Sequence, residues 1–501
     1  MLNQNLECRQ KEEKNQSHTG LRALLFLLLC MFVVVVSIVV VFGYTSYVED
    51  NWFMFKNAET IFDQGFIHTD VLTLHPGFHN LITQWLFAVM ITVIRPLFGG
   101  YGLTILMIAL SVLLFVVQYK NAKLIQKEAR NQILFVFLSV CFFQLVASHI
   151  RPYVVTVCLS CLTLFCIEKW IASKNGKWLL GLPILSILQI NFHNSLWVVL
   201  FLILLCYYGE WVMDALFHRE HRFSLKPLFL GTIGTLLGGI VNPYGLEGIT
   251  YIIQSLEALE PLKSHIVELL SPSFRKQYYF WIPFLLELIW FGIVLFRQKR
   301  RIPWAYLFLW AGFSLMSFWA VRNIIFFFTC GQMLLFYTAP WMPNLLGKGM
   351  TKTLLTFFPI ACGLCFLLVG TPDQNKTEFH RDVDTFVAQL HPEGDTCFNT
   401  FDSGSYLEYK GLKAYIDTRA ELFGKSVNGK KDVSEEYLQM LDPEQPAENV
   451  QAFVDTYQFD WLILDKDYNN IETFVQKVKG YTLVYDGEET LFYQRDGGKA
   501  S

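Results

Sequence analysis

Acids, histidines and arginines are scarce among the long apolar runs of this 501-residue chain, and those present gather at a few points. Glu49 and Asp50 stand together just past the first apolar run. His75 precedes Pro76-Gly77, and His149 shares the segment His149-Ile150-Arg151-Pro152-Tyr153 with Arg151. His193 lies in Asn191-Phe192-His193-Asn194, and Arg322 is followed by Asn323. A carboxylate in a partly desolvated loop has its pKa pushed toward the working pH, which suits a general base. Asp50 is the candidate for that role, with Glu49 beside it. Arginine holds phosphate through charge-assisted, bidentate hydrogen bonds, so Arg151 and Arg322 are candidates for gripping an anionic headgroup. His75, His149 and His193 would add donors to the same oxygens. A second group, Asp402, Asp417 and Arg419, lies in the acidic tail and marks a possible acceptor site.

Each residue also has a plainer use. Asp50 could cap the helix that follows it. His193 could be a hydrogen-bonded turn residue, and Arg151 and Arg322 could anchor ordinary lipid phosphates. Asn242-Pro243-Tyr244-Gly245 has the composition of a turn. Asp402, Asp417 and Arg419 could be caps and a salt bridge. Glu287, alone in mid-helix, could pair with a basic group on another helix. The functional reading gains from one fact: the polar set falls on one side of the elements that carry it.

Those elements are set by composition. The chain is 53% hydrophobic and 17% charged, against about 25% charged in an average soluble protein. This excludes disorder, a disulfide scaffold and a basic nucleic-acid-binding footprint. The charge is also unevenly spread. Residues 371–501 carry 13 Lys/Arg and 25 Asp/Glu, whereas the first 370 carry 27 and 18. The expectation is a polytopic α-helical membrane region followed by an acidic α/β soluble domain.

Ala23 to Gly43 is an uncharged run long enough to cross a hydrocarbon core of roughly 30 Å, and too long for a cleaved signal peptide. Further apolar runs lie near 103–119, 131–147, 153–168, 178–190, 195–211, 228–242, 278–296, 303–320, 323–340 and 352–370. With about eleven spans, one set of connections holds 20 basic residues and the other seven. The positive-inside rule then places the N-terminal tail, residues 1–22, in the cytoplasm and the C-terminal domain outside. Phe78 to Ile94 is apolar too, but counting it as a span would put the basic stretch at 297–301 outside. It is therefore expected to be an interfacial or re-entrant helix within one long outer loop, residues 45–102. The transmembrane module is 23–370, and the extracytoplasmic domain is 371–501.

Cysteines add little. Nine of eleven fall inside expected spans, Cys8 is cytoplasmic, and Cys397 would face outward. Cys158/Cys161 and Cys362/Cys365 have metal-like spacing but no His or acid nearby. No metal site is expected, no cofactor is required, and a divalent ion has no support in these residues. In the tail, Asp382–Leu390 and Val450–Tyr457 read as helices. Short buried strands are expected at 396–399, 414–417, 461–464 and 482–485. Asp402 and Asp417–Arg419 then follow strand ends, where open α/β sheets place ligand loops.

The segment Asp50-Asn51-Trp52, Ala58, Gly65 and then His75-Pro76 resembles the first outer loop of the GT-C glycosyltransferases. These polytopic enzymes use lipid-phosphate sugars and include protein mannosyltransferases and aminoarabinose transferases. Arg151-Pro152 resembles a later Arg-Pro-Asp-like motif of that superfamily, with Tyr153 standing where the acid would be. A closer likeness, over most of the chain, is to a group of bacterial membrane proteins of GT-C type. It rests on Asn191-x-His193, Asn242-Pro243-Tyr244-Gly245, Arg322-Asn323, and Asn399-x-x-Asp402-x-Gly404-x-Tyr406-Leu407 followed by Ile416-Asp417-x-Arg419.

The resemblance implies a cell-envelope enzyme that moves a sugar from a polyprenyl phosphate to an extracytoplasmic glycan, lipid or protein, with inversion. Asp50 would be its base, and the arginines and histidines would hold the departing phosphate. Its partners would be the lipid-linked sugar and membrane lipid, and no nucleic acid. Two other classes stay open: a lipid or glycan transporter or flippase, and a non-catalytic scaffold with an outward sensor domain. A transporter should show two internal repeats with broken helices, and the sequence has none.

Overall fold

The computed structural model describes residues 46–126, 130–146, 149–297, 302–342, 368–468 and 470–497. The first apolar run, Cys8, and most of the run at 352–370 lie outside the described residues. The helical region begins with α1 (Asp50–Gln64), α2 (Trp85–Ile94), α3 (Gly102–Ile125), α4 (Arg130–Val146) and α5 (Tyr153–Ser173). It continues through α6 (Gly181–Phe192), α7 (Val198–Leu216), α8 (Leu225–Ile240), α9 (Leu246–Ala258), α10 (Tyr278–Arg297) and α11 (Trp304–Trp319).

Among the described residues, five helical stretches are long and apolar enough to cross a membrane. They are Gly102–Ile125, Tyr153–Ser173, Asn194–Leu216, Tyr278–Phe296 and Val321–Trp341, the last assembled from short α and 3-10 turns. Burial separates their positions. The apolar window of α5 is 78% buried and sits at the centre of the bundle, whereas that of α10 is 17% buried. Leu205, Leu237, Leu286 and Ile289 remain 60–63% exposed, a surface suited to lipid rather than water.

Two expected segments differ in detail. The run at 178–190 is a 3-10 turn, Gly176–Leu180, followed by the 12-residue α6, about 18 Å long. It packs tightly on α8, where a Cβ on Gly238 would come within 2.8 Å of the Pro183 carbonyl. The helix expected from Phe78 starts only at Trp85, and its 10 residues reach about 15 Å. The backbone before it is committed elsewhere: His79 N donates to Asn428 O, Asn80 N to His68 O, and Ile82 N to the Tyr244 hydroxyl.

The C-terminal lobe holds α12 (Glu378–Leu390), α13 (Gly404–Tyr409) and α14 (Ala447–Tyr457) around a five-stranded sheet. Its strands are β1 (Thr396–Asn399), β2 (Lys413–Ala414), β3 (Trp461–Asp465), β4 (Tyr481–Asp486) and β5 (Thr490–Arg495), in the order β2-β1-β3-β5-β4. β1 runs parallel to β2 and β3, while β5 is antiparallel to β3 and β4. Three of the expected strands are present as β1, β3 and β4; the one expected at 414–417 shrinks to Lys413–Ala414, and β5 joins them as an unexpected fifth. Cys397 is fully buried on β1.

The lobe is fastened to the helices through α1 and α2. Trp52, fully buried, packs on Tyr406 and Tyr409 and donates its indole N–H to His380 Nε2 at 3.0 Å. Arg95, at the end of α2, lies over the Phe55 ring, 2.5 Å from Asp373 and 3.1 Å from the Tyr409 hydroxyl. One continuous apolar core therefore runs from the bundle through α1 into the lobe.

Candidate active site

Asp50 is the first residue of α1, where unpaired helix N–H groups favour a carboxylate. Its neighbour Asn51 fixes what stands opposite. The Asn51 Nδ2 donates to the Ile150 carbonyl at 2.7 Å, which brings Arg151 beside Asp50, with Nε 3.7 Å from Oδ2. Arg151 also bonds Glu268, from the loop before α10, through Nη1. Its Nε is buried and has no hydrogen-bond partner. Glu268 thus supplies a second carboxylate where Tyr153 had replaced the motif's acid. Sequence reading passed over Glu268 because it lies in a polar loop among several similar residues.

The lobe covers this group from above. Thr418 stands beside Asp50 on the lobe side, and Asp417 and Asp402 add negative charge to its surroundings. Burial raises the Asp50 pKa, Arg151 opposes that shift, and Glu268 adds to it. Asp402, on the rim, is raised to about 6 by partial burial and by Glu49 and Asp50. Arg151 is held more firmly charged than usual, because Asp50 and Glu268 outweigh its desolvation. Glu49 turns toward His380, 3.3 Å away, and so belongs to the lobe contact as much as to the cleft.

Arg322 is exposed and has no ion-pair or hydrogen-bond partner among the described residues. The backbone bond from Val321 N to Leu270 O places its loop against the one carrying Glu268. His193 bonds the Thr156 hydroxyl at 3.0 Å through Nδ1. Burial, reinforced by Arg322, lowers its pKa to about 3, so its imidazole is neutral at physiological pH. His149 is exposed at the same rim, its pKa held down by burial and by Arg151. Asp50, Arg151, Arg322, His149 and His193 therefore share one end of the bundle.

Three of the expected site residues are spent elsewhere. His75 is 2% exposed, its Nε2 bonded to the Tyr415 carbonyl at 2.8 Å and its ring stacked on Phe78. It is a fastener between the lobe and the strap at residues 66–80 that links α1 to α2, not a free donor. Asp417 and Arg419 form a closed buried network. The guanidinium meets Asp417 at 2.5 Å, Asp70 at 2.6 Å and Glu408 at 3.3 Å. Arg419 and the Thr73 hydrogen bonds hold Asp70 below its ordinary pKa despite burial, while burial and Asp417 push that of Glu408 up. No side chain in this network is open to an acceptor.

The remaining motif residues are architectural. Asn399 Nδ2 donates to Ile416 O at 2.7 Å, and a Cβ on Gly404 would come within 1.9 Å of that same carbonyl. Together they hold the Ile416–Arg419 segment over Asp50. Asn191 receives the Trp85 indole N–H and donates to Val241 O, latching α2, α6 and α8. Asn242 caps its own turn, bonding Gly239 O and Gly245 O. Glu287 accepts from the Trp310 indole at 2.8 Å and meets no basic group among the described residues. A cavity of about 330 Å³ at the far end of α5, lined by Glu168, Glu210 and Arg222, is remote from Asp50.

No family model matches the chain, and no curated protein matches it significantly. Solved structures do. The archaeal oligosaccharyltransferase AglB from Archaeoglobus fulgidus, in complex with an inhibitory peptide and a dolichol-phosphate, aligns with a TM-score of 0.56 at 11% identity. That alignment covers 95% of this chain and 75% of AglB. ArnT from Cupriavidus metallidurans aligns with a TM-score of 0.52 at 14% identity, covering 95% of this chain and 98% of ArnT. A match over nearly the whole chain, helices and lobe together, shows that this chain shares the fold of these two proteins, the GT-C fold.

Proposed function

We propose that the chain transfers a sugar from a polyprenyl-phosphate donor to a hydroxyl acceptor at the lobe-side end of the bundle. The observation that carries this reading is the pairing of Asp50 with Arg151 beside an unpartnered Arg322, at the foot of a covering lobe. Asp50 removes the acceptor's proton, and the oxygen attacks the anomeric carbon. The bond from that carbon to the phosphate oxygen breaks, and its electron pair leaves with the polyprenyl phosphate. Arg322 and the unpaired Nε of Arg151 meet the growing phosphate charge. A single in-line displacement inverts the anomeric centre.

The raised Asp50 pKa suits a base working near neutrality. Cover from the lobe limits water, which would otherwise compete as acceptor. Dolichol-phosphate bound to AglB supports a lipid-phosphate donor here. The uneven distribution of Lys and Arg supports an extracytoplasmic lobe and a cytoplasmic N-terminus.

The test is donor consumption by the purified protein in lipid nanodiscs, with a panel of polyprenyl-phosphate sugars and Asp50→Asn alongside. Turnover by the wild type alone supports both enzyme and base. Equal turnover by the variant removes Asp50 from the mechanism. If no donor binds, glycosyl transfer is the wrong reaction.

A further inference from the structure

Three groups able to ligate a metal stand together outside the Asp50 cleft. His68 Nδ1 lies 3.2 Å from Glu247 Oε2, and His79 Nε2 lies 2.9 Å from Glu247 Oε1. All three ligating atoms fall within 4.8 Å of one another. Their backbones are fixed independently of any ion. An antiparallel bridge pairs Thr69 with His79, Asn80 N donates to His68 O, and His79 N donates to Asn428 O in the lobe. Glu247 sits in the first turn of α9, and the preceding turn is pinned to the strap by the Tyr244 hydroxyl accepting from Ile82 N at 3.0 Å. The Tyr244 ring meets His68 edge-on at 5.3 Å.

We propose that His68, His79 and Glu247 form a binding site for a divalent transition metal of the zinc class, which staples the strap at residues 66–80 to α9. Two imidazoles and a carboxylate are a borderline N/O donor set of the kind zinc prefers, with a fourth position left for water. In a tetrahedral site with bonds of about 2.0–2.1 Å, neighbouring donor atoms lie about 3.4 Å apart. His68 and His79 each reach a different oxygen of Glu247, at 3.2 and 2.9 Å, and the three ligating atoms lie within 4.8 Å of one another, so small rotations of the half-exposed side chains bring them to that spacing. Side-chain exposures of 56%, 33% and 41% for His68, His79 and Glu247 leave an entry path for a hydrated ion.

The staple acts on architecture rather than on the reaction. No hydrogen bond or ion pair among the described residues joins this cluster to Asp50 or Arg151. The strap it fixes does carry Asp70, which pairs with Arg419 under the segment that covers Asp50. The site therefore stands whether or not the chain transfers sugar.

The test uses full-length protein in nanodiscs, stripped with a chelator and titrated with Zn²⁺ and then Co²⁺. The expected result is one ion per chain, cobalt d–d absorption without thiolate charge transfer, and a higher melting temperature on loading. His68→Ala and Glu247→Gln should each weaken binding at least about 10-fold, the loss typical even of supporting groups around a metal. His68 is the most exposed ligand, so its variant should keep the wild-type circular dichroism. Stoichiometric binding unchanged in both variants would overturn the assignment. So would saturating zinc that leaves wild-type occupancy and melting no different from the variants.

Discussion

Arg419 and Arg151 both draw carboxylates from distant segments, yet they are built to opposite ends. Around Arg419 the acids Asp70, Glu408 and Asp417 close on every side, and the guanidinium is 5% exposed. Around Arg151 the closure stops short. Asp50 stands 3.7 Å off, Nε goes unpaired, and Arg322 remains open nearby. The same residue types thus make a rivet in one place and an unclosed cluster in the other. The difference lies in whether hydrogen-bonding capacity is used up. A satisfied buried network specifies structure, whereas an incomplete one at a cleft has capacity left for a ligand.

Substitutions sharpen that contrast, and the largest effect belongs to the open cluster. Asp50→Asn should lower transfer by about 10²–10⁴-fold, the usual contribution of a general base, with melting temperature nearly unchanged. Equal loss of melting temperature would make Asp50 structural and erase the distinction. Arg419→Met should do the reverse. It strands buried carboxylates, costs about 3–5 kcal/mol, and is read as lobe-specific proteolysis before any kinetic assay.

His75 belongs with the rivet, and its titration shows it. Burial lowers its pKa to about 4, below the ordinary 6.5, so the unfolded state takes up the proton first. Stability is complete above pH 6.5 and falls as pH drops toward 4, by roughly 3 kcal/mol in full. His75→Phe should flatten that part of the acid-denaturation curve relative to wild type. A curve that runs parallel in both would show that the ring does not titrate there.

Arg322→Gln should weaken donor use by about 10–100-fold, the range for losing a hydrogen bond to a charged group, and leave the lobe resistant to protease. Arg151→Gln should weaken donor use in the same way as Arg322→Gln, and its finer effect is a displacement. Arg151→Gln removes the charge that opposes protonation of Asp50, so the acid limb of the pH–rate profile should move to higher pH. A limb that stays in place would mean Arg151 does not set the ionisation of the base.

Much of this was legible in the sequence, and the reasons differ by region. Helices and lobe separate on charge density alone, and β1 and β3 follow from short apolar runs. Asp50, Arg151 and Arg322 could be grouped because each lies beside an apolar run of countable length. The salt-bridge reading of Arg419 holds, but its partner Asp70 could not be foreseen, because it is 349 positions away and no local pattern carries that pairing. β5 escaped notice because it is half-exposed and so lacks a continuous apolar signature. Asn51 escaped because a single amide bonding the Ile150 carbonyl has no periodicity to betray it.

The strap and its cover are far apart in the chain, and that spacing has a consequence for biogenesis. Asp70 emerges from the ribosome long before Arg419, since chains grow at about 5–20 residues per second. In the interval most of the bundle is made while the strap's carboxylate waits without its partner. Chains interrupted before the lobe would keep their helices and lack a finished cleft. The Asp50 cleft therefore gains its cover only after the helices that frame it have been made.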